Sequence, residues 1–136
     1  MDENNTKKIR ILVVDDEKEF IDAVRDLLEE RSYKVEHAND GIGALEIIKQ
    51  NPPDLILLDV VMPNMDGITL LKKLKEKPQT KDIPVIMLTV KDGQANRDLG
   101  LATGAYEYIS KPYDSLVLLR QIRNLLEKTG KIERKA

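Results

Sequence analysis

The chain has 136 residues, with 22 Lys plus Arg against 24 Asp plus Glu for a net charge of −2, one histidine and no cysteine. That length suits one domain burying roughly two thirds of the surface its unfolded chain exposes, without a disulfide or metal to hold it. Absent cysteine excludes thiolate catalysis and Cys-based zinc sites, the lone His37 excludes multi-histidine metal sites, and the charge balance gives no general reason to bind nucleic acid.

The segment MDENNTKK, residues 1–8, is polar and expected to be flexible. Ile9 to Val14 is a short β-branched run read as a strand, and Glu17 to Glu30 places Phe20, Ile21, Val24, Leu27 and Leu28 on one helical face. Tyr33 to Ala38 alternates as a strand does. Gly41 to Gln50 returns to helical spacing with Leu45, Ile47 and Ile48, until Asn51-Pro52-Pro53 stops it. In DLILLDVVMPNMDG, residues 54–67, the run Leu55 to Leu58 is continuously apolar, as a strand buried on both faces requires, and it ends in Asp59. Ile68 to Glu76 carries Leu70, Leu71 and Leu74 at helical spacing. Pro84 to Leu88 is a buried strand whose proline stands first, where a missing N–H is tolerated. Residues 94–102 are a weaker helix, Gly104-Ala105 leads into a strand from Tyr106 to Ile109, and a last helix from Asp114 to Glu127 follows Lys111-Pro112. Residues 128–136 carry Lys128, Lys131, Arg134 and Lys135 and read as a flexible basic tail or the start of a linker, which leaves 9–127 as the domain. No apolar run nears the roughly 20 residues that span a bilayer and no signal core is visible, so a cytoplasmic, soluble protein without membrane partners is expected.

Strands that alternate with helices argue an α/β fold, an open doubly wound parallel sheet of five strands with five helices covering both faces. In such sheets chemistry gathers at the carboxyl ends of the strands. There the first strand ends in Asp15-Asp16, the third in Asp59, the fourth in Thr89 and the fifth in Ser110-Lys111. Singly, each has a plain explanation: Asp15 or Asp16 as a helix cap, Asp59 as a strand end meeting solvent, Lys111 as a surface charge. Jointly they do not, because two like charges at 4 Å repel by about 4 kcal/mol at an effective dielectric of 20. A cation is required. Oxygen donors without His or Cys suit Mg²⁺ or Mn²⁺, and a carboxylate beside such an ion, with a lysine and a hydroxyl near, can attack phosphorus.

These residues resemble the receiver domain of two-component response regulators, of the chemotaxis-regulator type, from about Ile9 to Leu126. The motifs are ILVVDDE at 11–17, LLDVVMPNMDG at 57–67, IMLT at 86–89 and GAYEYISKP at 104–112, with Thr89 30 residues and Lys111 52 residues after Asp59. The resemblance implies the flavodoxin-like strand order 2-1-3-4-5. It implies that Asp59 is the phosphoacceptor, that Asp15, Asp16, Asp59 and the backbone carbonyl of Val61 hold the metal, and that Lys111, before a cis proline bond, pairs with the phosphoryl group. Thr89 and Tyr108 are implied as the switch pair. The implied partners are a sensor histidine kinase or phosphotransfer protein, a downstream protein or effector domain meeting the 94–127 face, and a second copy in a phosphorylation-linked homodimer. No turnover of an external substrate and no nucleic-acid binding by this chain are expected.

Val90 stands where a small residue usually follows the switch threonine, and Tyr106 where a small polar residue is frequent. Val61 and Lys91 flank the route of the hydrolysing water, and neither offers a carboxylate or amide to orient it. Three rival readings are weighed against this one. A phosphate-independent receiver-like binding module would be expected to lose a site residue. An aspartyl phosphohydrolase would want a second Asp where Val61 stands, and a flavin binder a hydroxyl- and glycine-rich loop where Asp15-Asp16-Glu17 stands.

Overall fold

A computed structural model describes residues 8–90 and 94–133, excluding the side chains at 89, 90 and 94–96. The expected flexible N-terminus through residue 7, Lys91, and the last three residues of the expected tail lie outside the described residues. In chain order the elements are β1 (Arg10–Val14), α1 (Lys18–Glu29), β2 (Lys34–Ala38), α2 (Gly41–Gln50), β3 (Leu55–Leu58), α3 (Gly67–Lys75), β4 (Val85–Val90), α4 (Gln94–Thr103), β5 (Glu107–Lys111) and α5 (Ser115–Lys128). All neighbouring strands pair parallel, in the order β2-β1-β3-β4-β5. The doubly wound sheet expected from the alternation is the one observed.

The continuous apolar runs follow from burial on both faces. Every side chain of Ile11–Val14 and Leu55–Leu58 is at most 1% exposed. Successive residues point to opposite faces of a strand. Accordingly Leu12, Val14, Ile56, Leu58, Val85 and Met87 meet α2 and α3, whereas Ile11, Val13, Leu55, Leu57, Ile86 and Leu88 meet α1 and α5. Three helices start on an aspartate whose carboxylate accepts backbone N–H groups left over in the first turn: Asp40 from Gly43 at 2.8 Å, Asp66 from Thr69 at 2.8 Å, and Asp114 from Leu116 and Val117 at 2.9 and 3.2 Å. Among the described residues no helix is long and apolar enough to cross a membrane.

After α5 the described chain turns back on the helix. Gly130 takes a left-handed φ of 77°, its N–H donates to the Glu127 carbonyl at 3.1 Å, and the Lys131 N–H donates to the Leu126 carbonyl at 2.8 Å. This paired closure satisfies the last carbonyls of the helix. It folds Ile132 back against the α1–α5 core and brings Lys131 Nζ to 3.6 Å from Asp54.

Candidate functional site

Parallel register does the first positioning. Val14 of β1 pairs with Leu58 of β3, so the residues that follow them, Asp15 and Asp59, leave adjacent central strands at the same level. Backbone hydrogen bonds continue one step past the strands: Asp59 N–H donates to the Val14 carbonyl at 3.0 Å, and Asp15 N–H to the Ala38 carbonyl at 3.1 Å. Both carboxylates are thereby held on rigid backbone, Asp15 at 1% and Asp59 at 6% exposure.

The loop after Asp59 folds back onto it. Gly67 N–H donates to the Val60 carbonyl at 2.8 Å, and a Cβ on Gly67 would stand 2.1 Å from the carbonyl oxygen of Asp59. No side chain fits there. The Asp66-Gly67 pair therefore does two jobs, capping α3 through Asp66 and admitting the Asp59 backbone through Gly67.

Asp16 is exposed beside these two, and one carboxylate oxygen from each of Asp15, Asp16 and Asp59 lies within 4.8 Å of the others. Neither Asp15 nor Asp16 is the cap of α1. Glu17 holds that place without a side-chain cap bond, while Asp15 Oδ1 accepts the Glu17 N–H at 2.9 Å. The plain capping explanation thus fails, and Asp15 is left turned into the cluster.

Lys111 ends β5 and points across the sheet rim. Its Nζ lies 2.6 Å from Asp15 Oδ2, 3.1 Å from Glu17 Oε1 and 3.6 Å from Asp59 Oδ2, and its side chain is only 9% exposed. The Lys111-Pro112 bond is cis, as expected. Burial pushes the Asp15 carboxyl above the usual carboxylate range, against the pull of its hydrogen bonds from Lys111 and the Glu17 N–H, and the Asp59 charge pushes the same way. For Lys111 burial favours the neutral amine, but the Asp15 and Glu17 hydrogen bonds and the charges of Asp59 and Asp15 together outweigh it and hold the ammonium above its ordinary value. Four carboxylates, Asp15, Asp16, Glu17 and Asp59, against this one ammonium leave an excess of three negative charges.

That excess and an all-oxygen donor set fit a hard divalent cation such as Mg²⁺ or Mn²⁺, held by carboxylates with other oxygens completing its shell. Val61 stands at the mouth with its side chain 62% exposed, and its N–H approaches Asp59 Oδ1 at 3.4 Å.

The remaining expected site residues divide. Thr89 lies in β4 in register with Ser110, but its side chain and that of Val90 fall outside the described ones. Tyr108 is 6% exposed and packs in the core on the α2–α3 side of the sheet, so its ring is already inward here. The Arg97 guanidinium stands 5.9 Å from that ring's centroid and donates to the Tyr108 carbonyl at 3.2 Å. Tyr106 is half-buried, with Lys128 Nζ 5.2 Å from its ring centroid, which gives that bulky residue a partner on α5.

Two contributors went unrecognised in the sequence. Glu17 shares Lys111 with Asp15, and the signal was a third consecutive acid after the first strand. Phe20, read only as part of the apolar face of α1, lies with its ring centroid 4.1 Å from Lys111 Nζ.

The family profile of the response regulator receiver domain matches residues 11–123. The chain is 43% identical over 116 residues to the response regulator PleD of Caulobacter vibrioides, covering 85% of this chain and 26% of PleD. It is 39% identical over 122 residues to the response regulator MprA of a Mycobacterium species, covering 90% of this chain and 52% of MprA. Thus the chain spans between about a quarter and a half of the length of these curated relatives. Among solved structures, the chemotaxis protein CheY4 of Vibrio cholerae superposes with a TM-score of 0.83 at 32% identity, covering 88% of this chain and all of that one.

Proposed function

The chain belongs to the response regulator receiver domain family, and from that premise we propose that it is a phosphorylation-activated switch whose Asp59 accepts a phosphoryl group from the phosphohistidine of a sensor kinase or phosphotransfer protein. The observation that carries this reading is the setting of Asp59: a carboxylate only 6% exposed, with Lys111 Nζ 3.6 Å away and the Asp15-Asp16 pair beside it. Asp15, Asp16, Asp59 and the Val61 carbonyl would hold a Mg²⁺ or Mn²⁺ ion, which would supply Lewis-acid neutralisation of the phosphoryl oxygens. In the transfer, an Asp59 carboxylate oxygen forms a bond to phosphorus while the bond from phosphorus to the donor imidazole breaks; the electron pair leaves on that nitrogen, which takes a proton from solvent.

The residues of this chain supply orientation and charge. Lys111 stays protonated because Asp15 and Glu17 hold its ammonium, and it moves a short distance from them to the phosphoryl oxygens as negative charge develops there. The hydroxyl of Thr89 donates to the same group. The turn closed by Gly67 keeps the Asp59 backbone still during attack. The product is a population rather than a released compound: Thr89 and Tyr108 bias the 94–127 face toward the conformation that meets a downstream protein, an effector domain or a second copy of the chain. The reading is tested by incubating the chain with acetyl phosphate, with and without Mg²⁺. Modification that depends on the metal and is abolished by a chelator supports it; modification indifferent to the metal removes the role given to the acidic cluster.

A further inference from the structure

Lys111 Nζ donates to Asp15 at 2.6 Å and to Glu17 at 3.1 Å, and pairs with the Asp59 charge at 3.6 Å. An ammonium on a flexible four-carbon stem is not fixed by charge alone when several carboxylates surround it. Two aromatic rings restrict it. Phe20, in the first turn of α1, sets its ring centroid 4.1 Å from Lys111 Nζ, inside the range at which the negative face of an aromatic ring attracts a cation. Tyr113, two residues after Lys111, meets the Phe20 ring edge-on, with centroids 5.8 Å apart and planes at 89°, the arrangement aromatic pairs prefer. Both rings also pack against the α1–α5 core, so the pair is anchored. The result is a lysine at the rim of the protein whose side chain is nonetheless only 9% exposed.

We propose that Phe20, clamped by Tyr113, is a positioning residue for Lys111: its ring face holds the ammonium at the rim among Asp15, Glu17 and Asp59, where an incoming phosphoryl oxygen on Asp59 meets it. This rests on the reading of Asp59 as phosphoacceptor. A role for Phe20 in packing alone would be met by any apolar side chain of similar volume, leucine included. A role through the ring face is met by tyrosine but not by leucine.

The full chain, free and at saturating Mg²⁺, supplies the test with Phe20→Leu, Phe20→Tyr and Tyr113→Leu. The ε-methylene protons of Lys111 are expected upfield in wild type, shifted by the Phe20 ring current, and that displacement is expected to vanish in Phe20→Leu and return in Phe20→Tyr. The rate of Asp59 phosphorylation by acetyl phosphate is expected to fall about three- to tenfold in Phe20→Leu, the range given by a partly desolvated cation–ring contact, and to recover in Phe20→Tyr. If Phe20→Leu is too unstable to assay, Tyr113→Leu, which frees the ring without removing it, is expected to slow transfer by a smaller factor. Transfer at the wild-type rate in the leucine variants, or equal slowing in Phe20→Leu and Phe20→Tyr, overturns the proposal while leaving Asp59 as acceptor. A wild type that takes no phosphoryl group removes both readings.

Discussion

Replacing Gly67 by alanine puts a methyl group where the Asp59 carbonyl oxygen already stands. The ideal Cβ position is 2.1 Å from that oxygen, 2.9 Å from its carbon and 3.0 Å from Val60 Cα, and all three are backbone atoms that no rotamer change can move aside. Either the N-terminus of α3 or the end of β3 must retreat by roughly 1 Å, because non-bonded heavy atoms need more than 3 Å. Such overpacking costs about 1–3 kcal/mol. The displaced turn also strains the 2.8 Å bond from Gly67 N–H to the Val60 carbonyl, worth about 0.5–1.5 kcal/mol. A loss of about 2–4 kcal/mol is therefore expected in urea unfolding at equilibrium. A 1 Å error in the position of a reacting group also costs on the order of 100-fold in rate, so phosphorylation of Asp59 by acetyl phosphate should slow by about that much in the fraction that remains folded. Gly100 is the control. Its Cβ would meet the Ile68 and Met87 side chains at 3.5 Å and the Tyr108 ring at 3.9 Å, all ordinary contacts, and Gly100→Ala should be neutral or stabilise by about 0.5–1 kcal/mol. If both substitutions cost less than about 1 kcal/mol and neither slows transfer, the steric account of the turn is wrong.

Two further outcomes follow from the charges and from the residues beside the acceptor. Asp15 titrates above its unfolded value, so its ionised form is disfavoured in the fold, and native stability grows as pH falls through that folded value. Asp15→Asn should accordingly raise the urea midpoint at pH 7 in the absence of metal, with the gain shrinking toward acid pH where Asp15 itself is protonated; a gain that grows toward acid would reverse the sign of the argument. Val61 is exposed and apolar beside Asp59, so the phosphorylated state should be long-lived, and Val61→Asn combined with Lys91→Glu should accelerate phosphate release after loading with a small donor. An unchanged release rate in that double variant would show that these positions do not govern the hydrolysing water.

The fold was legible where burial on two faces leaves an unbroken apolar run, as in Leu55 to Leu58, and where apolar residues recur at helical spacing, as at Leu70, Leu71 and Leu74. The acidic cluster was legible because strand ends collect on one rim of a parallel sheet, so Asp15, Asp16, Asp59 and Lys111 could be placed together before any register was known. What stayed hidden depends on contacts between residues distant in sequence. Nothing local says that Gly67 faces the Asp59 backbone rather than merely ending a turn. Phe20 satisfies the helical periodicity of α1 whether its ring meets a leucine or the ammonium of Lys111, 91 positions later. Counting the lysines after α5 also hid Gly130 and Ile132, the two residues that turn the chain back onto the core.

The central claim is that Asp59 is the residue modified. Intact mass measured after exposure to acetyl phosphate and Mg²⁺, for wild type and for Asp59→Asn side by side, tests it directly. The account predicts the mass of one added phosphoryl group on the wild type, lost again on mild alkaline treatment as an acyl phosphate should be, and none on Asp59→Asn. An unmodified wild type, or equal modification of both proteins, would contradict it.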